Sequence, residues 1–237
     1  MNRLRKCAAE FIGAFAIVFA GCGAVAIDQI SGGAVSHVGV AATFGLVIMV
    51  MIYATGHISG AHFNPAVTLA FALTRHFPKR EIAPYILAQC AGAVVASYIH
   101  VASLSSVLAA TQPKQVLNLG VTLPVDGSFT TALVWEFMLT FLLMLVIMSM
   151  ATDFRAVGPA AGLAIGGTVG LEAMFAGPLC GASMNPARSL GPALAAGEWT
   201  VFAAYIVGPV LGAAAGALFY EFIRCQAPSD QEVKGCC

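Results

Sequence analysis

Twice in this chain an Asn-Pro-Ala triplet breaks into an apolar run, in His62-Phe63-Asn64-Pro65-Ala66 and in Ser183-Met184-Asn185-Pro186-Ala187-Arg188. A small-residue approach precedes each, Gly56-His57-Ile58-Ser59-Gly60 and Gly177-Pro178-Leu179-Cys180-Gly181. An apolar run too brief to cross a bilayer follows each. Asn is a favoured N-cap and Pro fits the first helical position, so both triplets read as helix starts. A single Asn-Pro pair is only a turn signal. Two copies, one in each half of an apolar chain, constrain the fold far more.

The surroundings of the triplets are membrane-like. Of 237 residues, 59% are hydrophobic and 9% charged, whereas soluble domains carry about 25% charged residues. Apolar spans are expected at about 8–27, 38–55, 82–108, 130–150, 157–176 and 200–223, each near the roughly 20 residues that cross a bilayer as a helix. The short elements, 64–73 and 185–195, follow the second and fifth spans. The run after Lys6 is long enough to span and leads to no cleavage pattern, so no cleavable signal peptide is expected. A formal net charge of zero gives no reason to expect nucleic acid. The seven Cys are scattered without a CxxC pair, which supports neither a zinc site nor a disulfide framework. No metal or cofactor is expected.

The halves repeat. Glu10-Phe11-Ile12-Gly13-Ala14-Phe15 resembles Glu136-Phe137-Met138-Leu139-Thr140-Phe141, and each half runs span, span, Asn-Pro-Ala element, span. An odd number of spans per repeat forces opposite orientations. The expected fold is an all-α membrane protein with six transmembrane helices and two re-entrant half-helices in an inverted repeat. The channel-like domain is expected over 1–224, with repeats at about 8–109 and 130–223. A polar cytoplasmic tail over 225–237 is expected to be disordered. Arg3, Arg5, Lys6, Arg75, Lys79, Arg80, Arg155, Arg224 and Lys234 fall on one side of this topology and Lys114 on the other. The positive-inside rule then puts both termini in the cytoplasm. Arg188 belongs to neither set and must lie within the membrane.

A helix that starts at mid-membrane leaves its first N–H groups without partners, and lipid cannot satisfy them. They must face protein or a water-filled cavity. Two inverted half-helices meeting there would each contribute roughly half a positive charge. The amides of Asn64 and Asn185 can donate into the gap, and Arg188 adds a full charge along the same path. Pore width, lining donors and a positive barrier are the terms that select small neutral molecules.

With these motifs the chain resembles the aquaporin, or major intrinsic protein, family over nearly its whole length. The stretches from Gly56 to Thr68, from Phe175 to Pro178 and from Gly181 to Ala193 are most similar to its nodulin-like intrinsic subgroup. The resemblance implies a homotetramer in the lipid bilayer with one pore per subunit, passing water and small neutral solutes such as glycerol, urea and metalloid hydroxides. It also implies a four-residue selectivity filter, which maps onto Phe44, Ala173, Ala182 and Arg188, and a role for Glu10 and Glu136 in propping the re-entrant loops. Strict water channels of the family place His where Ala173 stands, so the two Ala suggest a wider ring. Phe44 departs from the subgroup, which often has Trp or a small residue there.

Other residues carry weaker expectations. Glu172, beside Ala173, would line a subunit interface or hold a loop. His57 and His62 read as loop-packing groups or pH sensors, with His57 near the cytoplasmic side of the pore. Cys180 would sit near the outer mouth, inert or open to mercurials, and Cys236-Cys237 in a reduced tail. Glycines such as Gly92, Gly162, Gly166, Gly208, Gly212 and Gly216 read as close helix packing. Three alternatives stand beside the wide channel: one restricted to water, an ion-coupled secondary transporter, and an enzyme. The transporter lacks clusters of buried acids, and the enzyme lacks any catalytic constellation. The expected location is the plasma membrane, and the short termini suggest a bacterial inner membrane.

Overall fold

The computed structural model describes residues 2–153 and 158–224. The expectations for the tail, for Cys236-Cys237 and for the side of Arg155 and Lys234 fall outside the described residues. Among the described residues six helices are long and apolar enough to span a membrane: α1 (Arg3–Ile30), α2 (Ser36–Ser59), α4 (Ile82–Thr111), α5 (Phe129–Thr152), α6 (Ala161–Cys180) and α8 (Ala204–Ile223). Two short helices, α3 (Pro65–Leu73) and α7 (Pro186–Ala196), complete the set. No strand occurs among the described residues. In lipid a helix satisfies its own backbone, which is why the apolar runs take this form.

The spans outrun the apolar stretches because helices continue into polar residues at the membrane edge. The fifth span is expected to end at about 176, yet α6 passes on through Gly177-Pro178 to Cys180. Proline lacks the N–H that would bond the carbonyl one turn earlier. That carbonyl, of Met174, is met instead by His37 Nε2 at 2.7 Å. Gly56-His57-Ile58-Ser59 likewise belongs to α2 and not to a loop.

The packing follows the repeat. Within each half the outer helices pair, α1 with α4 and α5 with α8. Across the halves α2 lies on α6, α3 on α8 and α7 on α4. Each short helix therefore rests on a long helix of the other half. Glycine permits the close approaches. A Cβ at Gly92 would collide with the Phe11 carbonyl, and one at Gly212 with the Phe137 carbonyl, so the repeated Glu-Phe pair is gripped the same way twice. The interior holds small and apolar side chains, while Leu46, Leu87, Leu163, Leu171 and Phe222 are exposed on the outside, where a soluble protein would place polar groups.

Candidate functional site

Both short helices begin at the triplets, with the Asn as cap and the Pro in the first turn. Asn64 Oδ1 accepts from Ala66 N at 2.9 Å; Asn185 Oδ1 accepts from Ala187 N at 3.0 Å and Arg188 N at 3.3 Å. The amide ends reach across. Asn64 Nδ2 donates to the Met184 carbonyl at 2.7 Å, and Asn185 Nδ2 donates to the Phe63 carbonyl at 2.9 Å. The helix starts are thus tied tip to tip by a reciprocal pair of bonds. A side-chain amide carries two N–H groups. One of each is spent on the opposite loop, and both Asn line the larger cavity described below.

Two buried carboxyls hold the loops that lead into the triplets. Glu10 accepts from His62 N at 3.0 Å and Phe63 N at 2.6 Å, and from Ser59 Oγ and Gln89 Nε2. Glu136 accepts from Ser183 N and Met184 N, both at 2.7 Å. The loops need such support because Ala61, Phe63, Ala182 and Met184 all have positive φ, a conformation costly for side-chain-bearing residues. Tyr85 and Tyr205 add a second matched tie, donating to the carbonyls of Ser59 and Cys180 at 2.8 and 2.6 Å.

Two cavities meet at this centre. The larger, about 340 Å³, runs from the crossed Asn pair toward His57, Tyr53 and Gly162. The smaller, about 170 Å³, is lined by Val25, His37, Asn118, Gly120 and Ala173. Phe44, Ala182 and Arg188 border both and form the partition between them. All four positions expected for the filter line the smaller cavity, Ala173 beside the partition. Arg188 Nη1 donates to the Gly120 carbonyl at 2.5 Å, and its guanidinium carbon lies 4.8 Å from the centre of the Phe44 ring. The residue is only 5% exposed.

Some expectations need correcting. Cys180 is not at a mouth; it is fully buried, its thiol 3.8 Å from Glu136. Glu172 holds no loop: it is buried in α6, and neither carboxyl oxygen has a hydrogen-bond partner among the described residues. His62 packs against Phe71, Phe77 and Tyr85 and bonds Thr68 at 3.1 Å, as loop packing requires. His57 lines the larger cavity. Gly120, Gln89, Tyr85 and Tyr205 were not anticipated. The tyrosines recur soon after each short helix, a signal that alignment of the two halves reveals; Gly120 and Gln89 leave none.

A family model described as Major intrinsic protein matches residues 1–220. Aquaporin NIP1-1 of Oryza sativa subsp. japonica is 51% identical over 221 residues, covering 93% of this chain and 75% of the relative. Aquaporin NIP1-1 of Zea mays is 50% identical over the same shares. Among solved structures, the aquaglyceroporin from Plasmodium falciparum superposes with a TM-score of 0.79 at 26% identity, covering 94% of this chain and 97% of that one.

Proposed function

The chain belongs to the major intrinsic protein family of passive membrane channels, with nodulin-like intrinsic aquaporins among its relatives, and we propose that it conducts glycerol-sized uncharged solutes as well as water while excluding protons and ions. It is a multi-pass membrane channel and not an enzyme. Family membership also argues against ion-coupled transport.

The observation that carries the reading is the partition at Phe44, Ala182 and Arg188, set beside the crossed Asn pair. A solute entering the smaller cavity passes the ring of Phe44, Ala173, Ala182 and Arg188. Two of those four side chains are methyl groups, which leave room for carbon or metalloid atoms, and the Arg188 guanidinium donates to their hydroxyls. Asn64 and Asn185 then offer their remaining amide N–H groups. The N-termini of α3 and α7 and the Arg188 charge make the path positive, which repels cations and protons. Glycerol, urea and boric or arsenous acid are the solute class. With both termini cytoplasmic, the smaller cavity is the outer vestibule. The working unit is residues 1–224, assembled as a homotetramer in the plasma membrane. The plant relatives give no support to a bacterial inner membrane.

A channel restricted to water is the second reading, and the 4.8 Å approach of Arg188 to the Phe44 ring favours it. Stopped-flow light scattering of proteoliposomes in an inward glycerol gradient separates the two. Fast shrinkage followed by fast reswelling is expected. Fast shrinkage without accelerated reswelling would overturn glycerol conduction and leave the water channel.

A further inference from the structure

Helix α1 is not uniform. Val18–Cys22 forms a π-helical turn, with regular α-helix before and after it. Single π turns inside α-helices occur often at functional sites. This one lies directly behind the partition. A Cβ at Gly21 would fall among the ring atoms Cδ1, Cε1 and Cζ of Phe44. The next residue, Cys22, backs Gly120, where a Cβ would stand 3.0 Å from Cys22 Cβ and 3.1 Å from its Sγ. Gly120 holds Arg188 through its carbonyl, and Arg188 faces Phe44. The contacts close a loop: Gly21 to Phe44, Phe44 to Arg188, Arg188 to Gly120, Gly120 to Cys22. One turn of α1 thus supports both walls of the constriction. The turn is itself pinned, because His100 on α4 meets the Phe19 carbonyl through Nε2 at 3.0 Å and stacks on the Phe19 ring.

The other half provides the contrast. Counted from the matched Glu10 and Glu136, Gly21 corresponds to Ile147. There α5 is unbroken α-helix, and Ile147 lines the larger cavity. Among the described residues the π turn and its glycine occur only in the half that backs the partition.

We propose that the Val18–Cys22 turn sets the gap between Phe44 and Arg188, and hence the size limit for solutes, through two positioning residues, Gly21 behind the Phe44 ring and Cys22 behind Gly120. The proposal rests on the filter reading above. In Gly21→Ala the added methyl displaces the Phe44 ring toward Arg188. The glycerol-to-water permeability ratio is expected to fall by about tenfold, the scale of one misplaced methyl in a fitted site. A purely structural defect would lower both permeabilities together and leave the ratio alone.

The test measures both permeabilities in proteoliposomes for wild type, Gly21→Ala, Phe44→Ala and the double variant. Support requires a lower ratio in Gly21→Ala and a double variant equal to Phe44→Ala alone. An unchanged ratio in Gly21→Ala, with a changed ratio in Phe44→Ala, overturns this proposal and leaves the filter reading intact. An unchanged ratio in Phe44→Ala overturns the filter reading itself. Should Gly21→Ala fail to reach the membrane, Cys22→Ala decides: it removes the sulfur behind Gly120, and the ratio must rise by about twofold or more, a fraction of the one-methyl scale. No rise there overturns the proposal.

Discussion

In the first re-entrant segment a carboxyl accepts two loop N–H groups, a tyrosine holds a carbonyl, and an asparagine caps a short helix while reaching across to the other loop. The second segment does the same with Glu136, Tyr205 and Asn185 in place of Glu10, Tyr85 and Asn64. The frame is therefore duplicated, and the walls are not. Beside the first triplet stands Val67, beside the second Arg188. Around the first loop lies an aromatic cluster on His62; around the second, Ser183, Ser189 and Thr122 share hydroxyl bonds at 2.5 and 2.8 Å. Bonds that build the meeting of the half-helices must exist on both sides. Groups that choose the solute need to act only once along a single path, so one side is free to carry them.

The largest effects should come from breaking the shared frame. Glu10→Ala or Glu136→Ala strands two buried loop N–H groups, at about 1–3 kcal/mol each, so about 2–6 kcal/mol per variant. Glu10→Ala is the worse of the two, since Ser59 and Gln89 also lose their acceptor, whereas Glu136 has only the weak Cys180 thiol in addition. Thermal unfolding of the purified protein in detergent reads this directly. A Glu136 variant less stable than its Glu10 counterpart would break the ranking.

Next is Gln89, which has no counterpart in the second half. Its amide donates to Glu10 at 2.7 Å and to Thr68 at 3.1 Å. Gln89→Leu should cost about 1.5–3 kcal/mol, the range for a hydrogen bond to a charged group, with the glycerol-to-water permeability ratio unchanged. A shifted ratio would show that the support of the first re-entrant segment also selects.

How much of this was legible follows the same division. The caps and the paired acids sit in local motifs that repeat, so Asn64, Asn185, Glu10 and Glu136 stand out in the sequence alone. The proposed filter positions come from the family resemblance, placed by their distance from the triplets, and Phe44, Ala173, Ala182 and Arg188 all line the smaller cavity. What stayed hidden depends on contacts between distant segments. The Gly120 carbonyl that holds Arg188 comes from a connection with no motif. Gly21 looks like any packing glycine, because a π turn leaves no periodic mark in a run that is apolar on every face. The extent of α6 past residue 176 was hidden too, since the Met174 carbonyl that Pro178 frees is met by His37 from another helix.

The asymmetry can be removed by substitution. Arg188→Val gives the second short helix the residue that the first already has in Val67. The proposed filter loses its charge and its link to Gly120, and the glycerol-to-water ratio should rise about tenfold, within the range by which fitted sites discriminate. Proton leak, read with a pH-sensitive dye in the liposome lumen, should rise with it. If both stay at the wild-type level, selectivity does not reside at Arg188.

The smallest effect concerns how each half begins. Helix α1 is capped by Asn2, whose side chain accepts from Leu4 N and does not titrate. Helix α5 is capped through Ser128, with Asp126 accepting from Ser128 N at 3.0 Å and from Thr131 Oγ at 2.6 Å. Those bonds favour the ionised form and hold the Asp126 carboxyl below its ordinary value of 3.8. A group with a lowered folded value stabilises the fold above its unfolded value, and loses that contribution as pH falls through the folded one. The second half should therefore carry an acid-sensitive cap that the first lacks. Asp126 is fully exposed, so solvent screens the interaction and the change is small. Unfolding temperatures taken from neutral pH to below 3.8 should decline less steeply in Asp126→Asn than in wild type, whereas Asn2→Ala should leave the slope as it was. An equal decline in Asp126→Asn and wild type would place the acid sensitivity elsewhere in the chain.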